Sequence, residues 1–375
     1  MEIKTITCHD VYNYGASLQA FALQYFLQNQ GHNVEIIDYK PEYLSFPYRI
    51  SMFVHPHSPV RKYTDRSALL RFMYAVKRYL WYLLSFKRKL AFDNFTSHYL
   101  NQTRRYVSYQ ELLADIPSAD VYISGSDQVW NSVTMLNGKD PAFYLQFAPS
   151  GKKRISYAAS FGATSISKDC DEVIRHYLSS FDAVSVRETS GLDILTALSV
   201  SGVQVCDPVF LLSADEWRKV FEITSEEESY VLIYNLTAVN QKLVDDARYV
   251  ARKLGVRLYS ISPIKIKGVD RNFTDLGPSD FVRMIFNSRF VFTNSFHATA
   301  FSIIAHKQFC TYNYHSTSNS SRMHSILDQL GMLDRLNVED ISTILDSPVD
   351  YKVKETHIQE CMSEGKGWLL NNLCS

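Results

Sequence analysis

The chain has 375 residues, 46% of them hydrophobic and 21% charged, with Lys plus Arg and Asp plus Glu balanced at 39 each. This composition excludes disordered, collagenous and coiled-coil chains, and the neutral balance leaves no overall field to hold a nucleic acid along its phosphates. The length exceeds what one hydrophobic core comfortably fills, so two domains are expected.

In chain order, Met1-Glu2-Ile3 moves straight into a strand-like run with no basic head and apolar signal core, so a cytoplasmic location is expected. Residues 3–7 read as a buried strand. Ser17 is the expected N-cap of a helix over 18–30 that Gly31 closes, and 33–38 is a second buried strand. A β-α-β opening of this kind builds parallel sheets. Residues 41–110 break the rhythm as a helical insertion: Pro41, Pro47, Pro56 and Pro59 mark an irregular stretch, followed by a long helical pattern over 67–97.

Over 61–90 the basic residues Arg61, Lys62, Arg66, Arg71, Lys77, Arg78, Lys87, Arg88 and Lys89 are mixed with Phe72, Tyr74, Tyr79, Trp81, Tyr82 and Phe86. Two readings stay open for this segment. Either it lies on an anionic membrane face, the inner one, with aromatics at headgroup level, or it packs its aromatics on the core beneath solvated charges. The charges would be costly at the centre of a bilayer, so it should not span one.

Alternation resumes with strands at 119–124, 154–159, 183–187 and 203–206 and helices at 168–180 and 188–198. Asp207-Pro208 then breaks the chain, and from residue 230 a second β-α series runs through strands at 230–236, 256–261 and 289–293 to a helix from His297. The expected fold is therefore α/β: two Rossmann-like domains, 1–210 and 211–350, with a cleft between them, and a C-terminal helix within 351–375. Six cysteines without a CxxC pair argue against zinc or a disulfide framework.

Strand-to-helix junctions are where open α/β sheets place ligands. One carries Gly125-Ser126-Asp127-Gln128-Val129-Trp130-Asn131, in which Ser126 and Asp127 can hydrogen-bond a ligand and Trp130 offers a face for a sugar ring. The same letters also suit a helix cap and a core filler. Another carries Thr293-Asn294-Ser295-Phe296-His297, whose helix N-terminus would favour an anion and whose histidine could titrate or be structural. Arg187 ends a strand and Arg322 follows the polar run 316–321; each is suited to clamp an anion or to pair with Glu188 or Asp328. The absence of GxGxxG, Walker, HExxH and GxSxG patterns removes support for dinucleotide binding, P-loop hydrolysis, zinc proteolysis and hydrolase chemistry.

Taken in order, Asn13-Tyr14-Gly15-Ala16-Ser17-Leu18-Gln19, Gly31-His32-Asn33-Val34-Glu35, Ser124-Gly125-Ser126-Asp127, Ser156-Tyr157-Ala158-Ala159-Ser160-Phe161-Gly162, Val186-Arg187-Glu188, Asp207-Pro208-Val209-Phe210 and Thr293-Asn294-Ser295-Phe296-His297-Ala298 resemble the polysaccharide pyruvyl transferase family over about residues 5–335. That resemblance implies a GT-B-like architecture and transfer of pyruvate from phosphoenolpyruvate to two hydroxyls of a sugar, as a ketal, with release of phosphate. The acceptor would be a surface polysaccharide or its lipid-linked precursor. No cofactor and no metal is implied; phosphoenolpyruvate is a substrate.

By the same resemblance His297 is the acid/base, and by analogy with sialyltransferases of similar architecture Asp127 is the expected base for the acceptor hydroxyl. Arg187 of the first domain, with Arg322, Asn294 and Ser295 of the second, make up the expected donor site, the second domain being the donor side. Asn13, Tyr14, Gln19, Ser126, Gln128 and Trp130 are the expected acceptor site in the first. The chain departs from the family pattern at His306-Lys307-Gln308, where a Lys-Pro pair is common. Two other functions fit the layout: a GT-B glycosyltransferase using a nucleotide sugar, and a non-catalytic glycan- or membrane-associated assembly protein.

Overall fold

A computed structural model describes residues 1–45, 67–133, 137–224, 228–236, 239–262, 265–313 and 320–374. Pro47, Pro56, Pro59, Arg61, Lys62, Arg66 and the run 316–319 fall outside these residues.

Strands β1 (Glu2–Ile6), β2 (Asn33–Tyr39), β3 (Gln102–Tyr106), β4 (Val121–Ser124), β5 (Lys153–Ala159), β6 (Ala183–Val186) and β7 (Val203–Gln204) form a parallel sheet in the order β3-β2-β1-β4-β5-β6-β7. Ile3 stands opposite Val34 on one side and Val121 on the other. Strands covered on both faces read as continuous apolar runs, which is why the central ones were legible. The polar strand β3 was not: its sequence Gln102-Thr103-Arg104-Arg105-Tyr106 belongs to a half-exposed edge beside β2. The insertion therefore ends at Leu100, not near residue 110.

Helix α1 (Tyr14–Asn29) joins β1 to β2 and begins one turn earlier than expected. Its cap is Asn13, whose Oδ1 accepts from the N–H groups of Gly15 at 2.9 Å and Ala16 at 3.4 Å, whereas the expected cap, Ser17, is buried inside the helix and donates to the His9 carbonyl at 3.3 Å. Helix α2 (Ala68–Tyr99) supplies the bulk of the insertion, with Ser67 as N-cap. At about 1.5 Å per residue it is roughly 48 Å long. Among the described residues no helix is long and apolar enough to cross a membrane.

The second sheet contains β8 (Tyr230–Tyr234), β9 (Arg257–Ile261), β10 (Arg271–Phe273), β11 (Phe290–Thr293) and β12 (Gln308–Thr311), all parallel, in the order β10-β9-β8-β11-β12. Helices α3 (Pro278–Asn287), α4 (Phe296–Ile304), α5 (Ser320–Gln329) and α6 (Tyr351–Cys374) follow in the second half of the chain.

The two domains share one apolar cluster in which Tyr14 and Phe21 of α1 meet Trp217, Phe281 of α3 and Phe301 of α4. Tyr14 stacks on Phe281 at a centroid distance of 4.5 Å, and Trp217 lies 5.8 Å from Phe21 and 5.0 Å from Phe301. Each fully buried side chain of this size contributes about 1.5–3 kcal/mol, so the relative placement of the sheets is set by a core. Helix α6 returns to the first domain, where the Cys361 carbonyl lies 3.3 Å from the Cys206 sulfur.

Candidate active site

In each sheet the strand order reverses direction at one point, between β1 and β4 in the first and between β8 and β11 in the second. Crevices form beyond the carboxyl ends of strands at such points. Here the two crevices face each other and enclose a cavity of about 180 Å³ lined by Cys8, Val11, Asn13, Asp127, Gln128, Leu236, Asn294, Ser295, Phe296, His297 and Arg322. The wall thus draws on the ends of β1, β4, β8 and β11 together with the start of α5.

Two of the helices that begin at this cavity are capped by side chains in its wall. Asn13 caps α1 and Ser295 caps α4, its Oγ 3.5 Å from the Ala298 nitrogen. Both caps line the wall, so the positive ends of both helix dipoles point inward. His297 lies in the first turn of α4 with its ring against the first turn of α1. A Cβ placed on Gly15 would sit 1.8 Å from His297 Nδ1, so only glycine permits this approach.

Behind the wall lies a buried ionic cluster. His297 Nε2 is 3.5 Å from Asp207 Oδ2, and the same oxygen accepts from Arg187 Nη1 at 2.7 Å and from the Ser126 hydroxyl at 3.1 Å. Arg187 also approaches Asp127 at 3.6 Å and Glu188 at 3.7 Å, and its guanidinium lies 4.8 Å from the centre of the Phe296 ring. Burial alone would lift the Asp207 carboxyl, but His297 and Arg187 outweigh it and hold the group well below the usual carboxylate range. For Arg187 burial works against the charge, and Asp207, Asp127 and Glu188 more than restore it.

Arg322 occupies a different position. It lines the cavity 3.9 Å from Asp127. The Gln128 amide, oriented by its neighbours, accepts from Arg322 Nη2 at 2.7 Å and Nη1 at 3.1 Å. Burial, then repulsion from Arg187, lowers its pKa to about 10, so it remains a cation at neutral pH. Asp127 is held between the two arginines with a φ of 67°, a left-handed conformation that Asp adopts more readily than most residues. Cys8 also lines the wall, but burial, followed by the charges of Asp127 and Asp140, raises its thiol far above the usual range and keeps it neutral.

The residues expected from the sequence therefore divide. His297, Asp127, Arg322, Asn294, Ser295, Asn13 and Gln128 meet at the cavity. Asn294 is also structurally engaged, accepting from Leu236 N–H at 2.7 Å and donating to Asn235 Oδ1 at 3.1 Å.

Four acceptor candidates are corrected because none of them lines it. Trp130 is fully buried, stacked on Tyr144 at 5.5 Å, with its indole N–H on the Phe143 carbonyl. Tyr14 is part of the domain interface and donates to the Leu276 carbonyl. Gln19 is buried, bonded to Thr7 and the Ala16 carbonyl, and Ser126 is buried against Asp207.

Arg187, expected to clamp the donor, is likewise 4% exposed and outside the cavity wall. Asp207 was missed altogether. It read as a chain break because Pro follows it, and its Oδ1 does cap the following turn through Val209 N–H at 3.1 Å. The signal available was an ionisable residue at the edge of the apolar run Val209-Phe210-Leu211-Leu212.

Twin doubly wound sheets facing across a polar cavity are the arrangement of GT-B-like enzymes, and the fold is of that class. The family model of polysaccharide pyruvyl transferase matches residues 13–316, and the chain belongs to that family. No curated protein matches it in sequence. Among solved structures it is similar to UGT89C1 of Arabidopsis thaliana complexed with quercetin, at 12% identity and a TM-score of 0.49, covering 100% of this chain and 99% of that one. It is also similar to UDP-GlcNAc 2-epimerase from Neisseria meningitidis bound to UDP-GlcNAc, at 8% identity and a TM-score of 0.49, covering 100% of both chains.

Proposed function

We propose that the protein transfers the pyruvyl group of phosphoenolpyruvate to a sugar of a surface polysaccharide or its lipid-linked precursor, forming a cyclic ketal and releasing phosphate. The observation that carries this reading is the convergence of two helix N-termini, Arg322 and the His297–Asp207 pair on one cavity. A small substrate bearing both a carboxylate and a phosphate suits two dipole ends and a guanidinium.

In this reading protonated His297, its charge balanced by Asp207, delivers a proton to C3 of the enol. The electron pair of the C2–C3 double bond forms the new C–H bond, leaving C2 electron-poor. A sugar hydroxyl adds to C2 and passes its proton to Asp127. The C2–O bond to phosphate then breaks, with the pair leaving on phosphate, and a second hydroxyl of the sugar closes the ring on C2. Of the two hydroxyl protons, one replaces that given to C3 and the other leaves with phosphate. Arg322 holds the donor, and Arg187 acts from behind by keeping Asp207 ionised and Asp127 oriented.

Purified protein incubated with phosphoenolpyruvate and a panel of glycans, free and lipid-linked, should release phosphate only with an acceptor, whose mass should rise by a pyruvate ketal. Release of a nucleoside phosphate from a nucleotide sugar, with no acceptor-dependent phosphate from phosphoenolpyruvate, would overturn the reading.

A further inference from the structure

Helix α2 leaves the body of the protein beside the cavity. Its C-terminal third is anchored through the buried side chains of Arg88, Phe92 and Phe95, which share one face of the helix. Arg88 donates to the Tyr14 hydroxyl at 2.5 Å, and the Tyr12 hydroxyl donates to Asp93 at 2.9 Å. None of residues 68–83 whose side chain is described is buried.

Of the twenty large hydrophobic side chains exposed among the described residues, eleven lie between Leu69 and Leu90. Soluble surfaces scatter such side chains singly, and a concentration of them marks an interaction site. At about 100° per residue, Leu69, Phe72, Val76, Leu80 and Leu83 fall on one stripe, which points away from the face that Phe92 and Phe95 bury. Arg71 and Lys77 flank it on either side.

Charge identifies the occupant. The chain is neutral overall, yet residues 68–92 contain six basic residues and no acidic one. A second copy of this helix would set like charges against each other. The preceding segment 46–66 is itself basic, with Arg49, Arg61, Lys62 and Arg66 against Asp65 alone, so it too lacks the complementary charge.

We propose that α2 docks the protein on an anionic membrane, with its apolar stripe at the boundary between headgroups and acyl chains and its basic residues on lipid phosphates. Arg88 grips the Tyr12 carbonyl at 3.3 Å as well as Tyr14, the residues on either side of the cavity-lining Asn13. Docking therefore brings the cavity to the membrane surface. Resting on the pyruvyl-transfer reading, it also identifies the acceptor as lipid-linked.

The test uses full-length protein without substrate, mixed with vesicles of phosphatidylcholine alone or with phosphatidylglycerol added, and measures bound protein by flotation at low and high salt. Binding should require the anionic lipid and weaken with salt, and the emission of Trp81, 41% exposed, should shift to the blue. Each basic residue at the surface changes partitioning roughly fivefold, about 1 kcal/mol, so K77E/K87E should bind at least about 25-fold more weakly.

L80E should lose binding at every salt concentration, and circular dichroism should show both variants folded because the substituted side chains are exposed. No vesicle binding, equal binding to neutral and anionic vesicles, or a concentration-dependent dimer in place of binding overturns the proposal. Vesicle binding without phosphate release would sink the transfer reading alone, and phosphate release without vesicle binding would sink this one alone.

Discussion

Asp207→Asn tests the ionic cluster most directly. The substitution keeps the shape of the side chain and the acceptor that Oδ1 offers to Val209 N–H. It replaces Oδ2 with an amide that can only donate, opposite two donors already aimed at that position, Arg187 Nη1 at 2.7 Å and the Ser126 hydroxyl at 3.1 Å, with His297 Nε2 3.5 Å away. Removing one partner of a buried ion pair costs about 3–5 kcal/mol. The lower end applies here, because Asp127 and Glu188 still lie within 3.6 and 3.7 Å of the stranded guanidinium.

Urea unfolding of the two proteins should show that loss at neutral pH. The Asp207 carboxyl is depressed in the folded state, so its stabilisation is fully present above the unfolded value near ~3.9 and is lost as pH falls through the folded value. The parent protein should therefore weaken in acid, and the Asn variant should lack this component of the acid limb.

On the proposed mechanism, loss of the charge that balances imidazolium should also lower kcat by roughly a hundredfold, the lower end of what general acid–base catalysis supplies. A variant that keeps most of its kcat would refute the coupling of Asp207 to the imidazole.

Gly15→Ala should remove activity and lower the melting temperature. The new methyl would fall 1.8 Å from Nδ1 of the buried His297 ring, and overpacking of about 1–3 kcal/mol outweighs a helix-propensity gain of at most about 1 kcal/mol; an active Gly15→Ala protein would mean that His297 is not needed where it lies. Arg322→Ala should raise the donor KM about ten- to a hundredfold, the equivalent of a charged hydrogen bond worth about 1.5–3 kcal/mol. In the parent, donor KM should climb as pH approaches the depressed Arg322 value of about 10, because the cation is then lost; a flat alkaline limb counts against the clamp. Trp130→Ala should destabilise the fold by about 3–5 kcal/mol yet leave acceptor KM unchanged at temperatures where the variant is folded, and a selective rise in that KM would return the indole to the binding surface.

Much of the architecture could be read from local pattern. Buried parallel strands require continuous apolar runs and their helices require caps, so β1, β2, β4, β5, β8, β9 and β11 were legible, as were the junctions carrying Asp127 and His297. The polar edge strand β3 and the true start of α1 were not, because an edge strand carries little apolar signal and the cap at Asn13 precedes a Gly-Ala-Ser turn with weak periodicity.

The direction of side chains between the domains was decided only by tertiary packing. Arg187 and Trp130 have the right chemistry at the right junctions, but both point inward, one to a carboxylate 20 positions further along the chain and the other to Tyr144. Asp207 became visible only when the core around Phe21, Trp217 and Phe301 placed the chain break behind His297. A cavity drawing on residues from Cys8 to Arg322 depends on how two sheets are held face to face, and that is a property of long-range packing, which no local periodicity encodes.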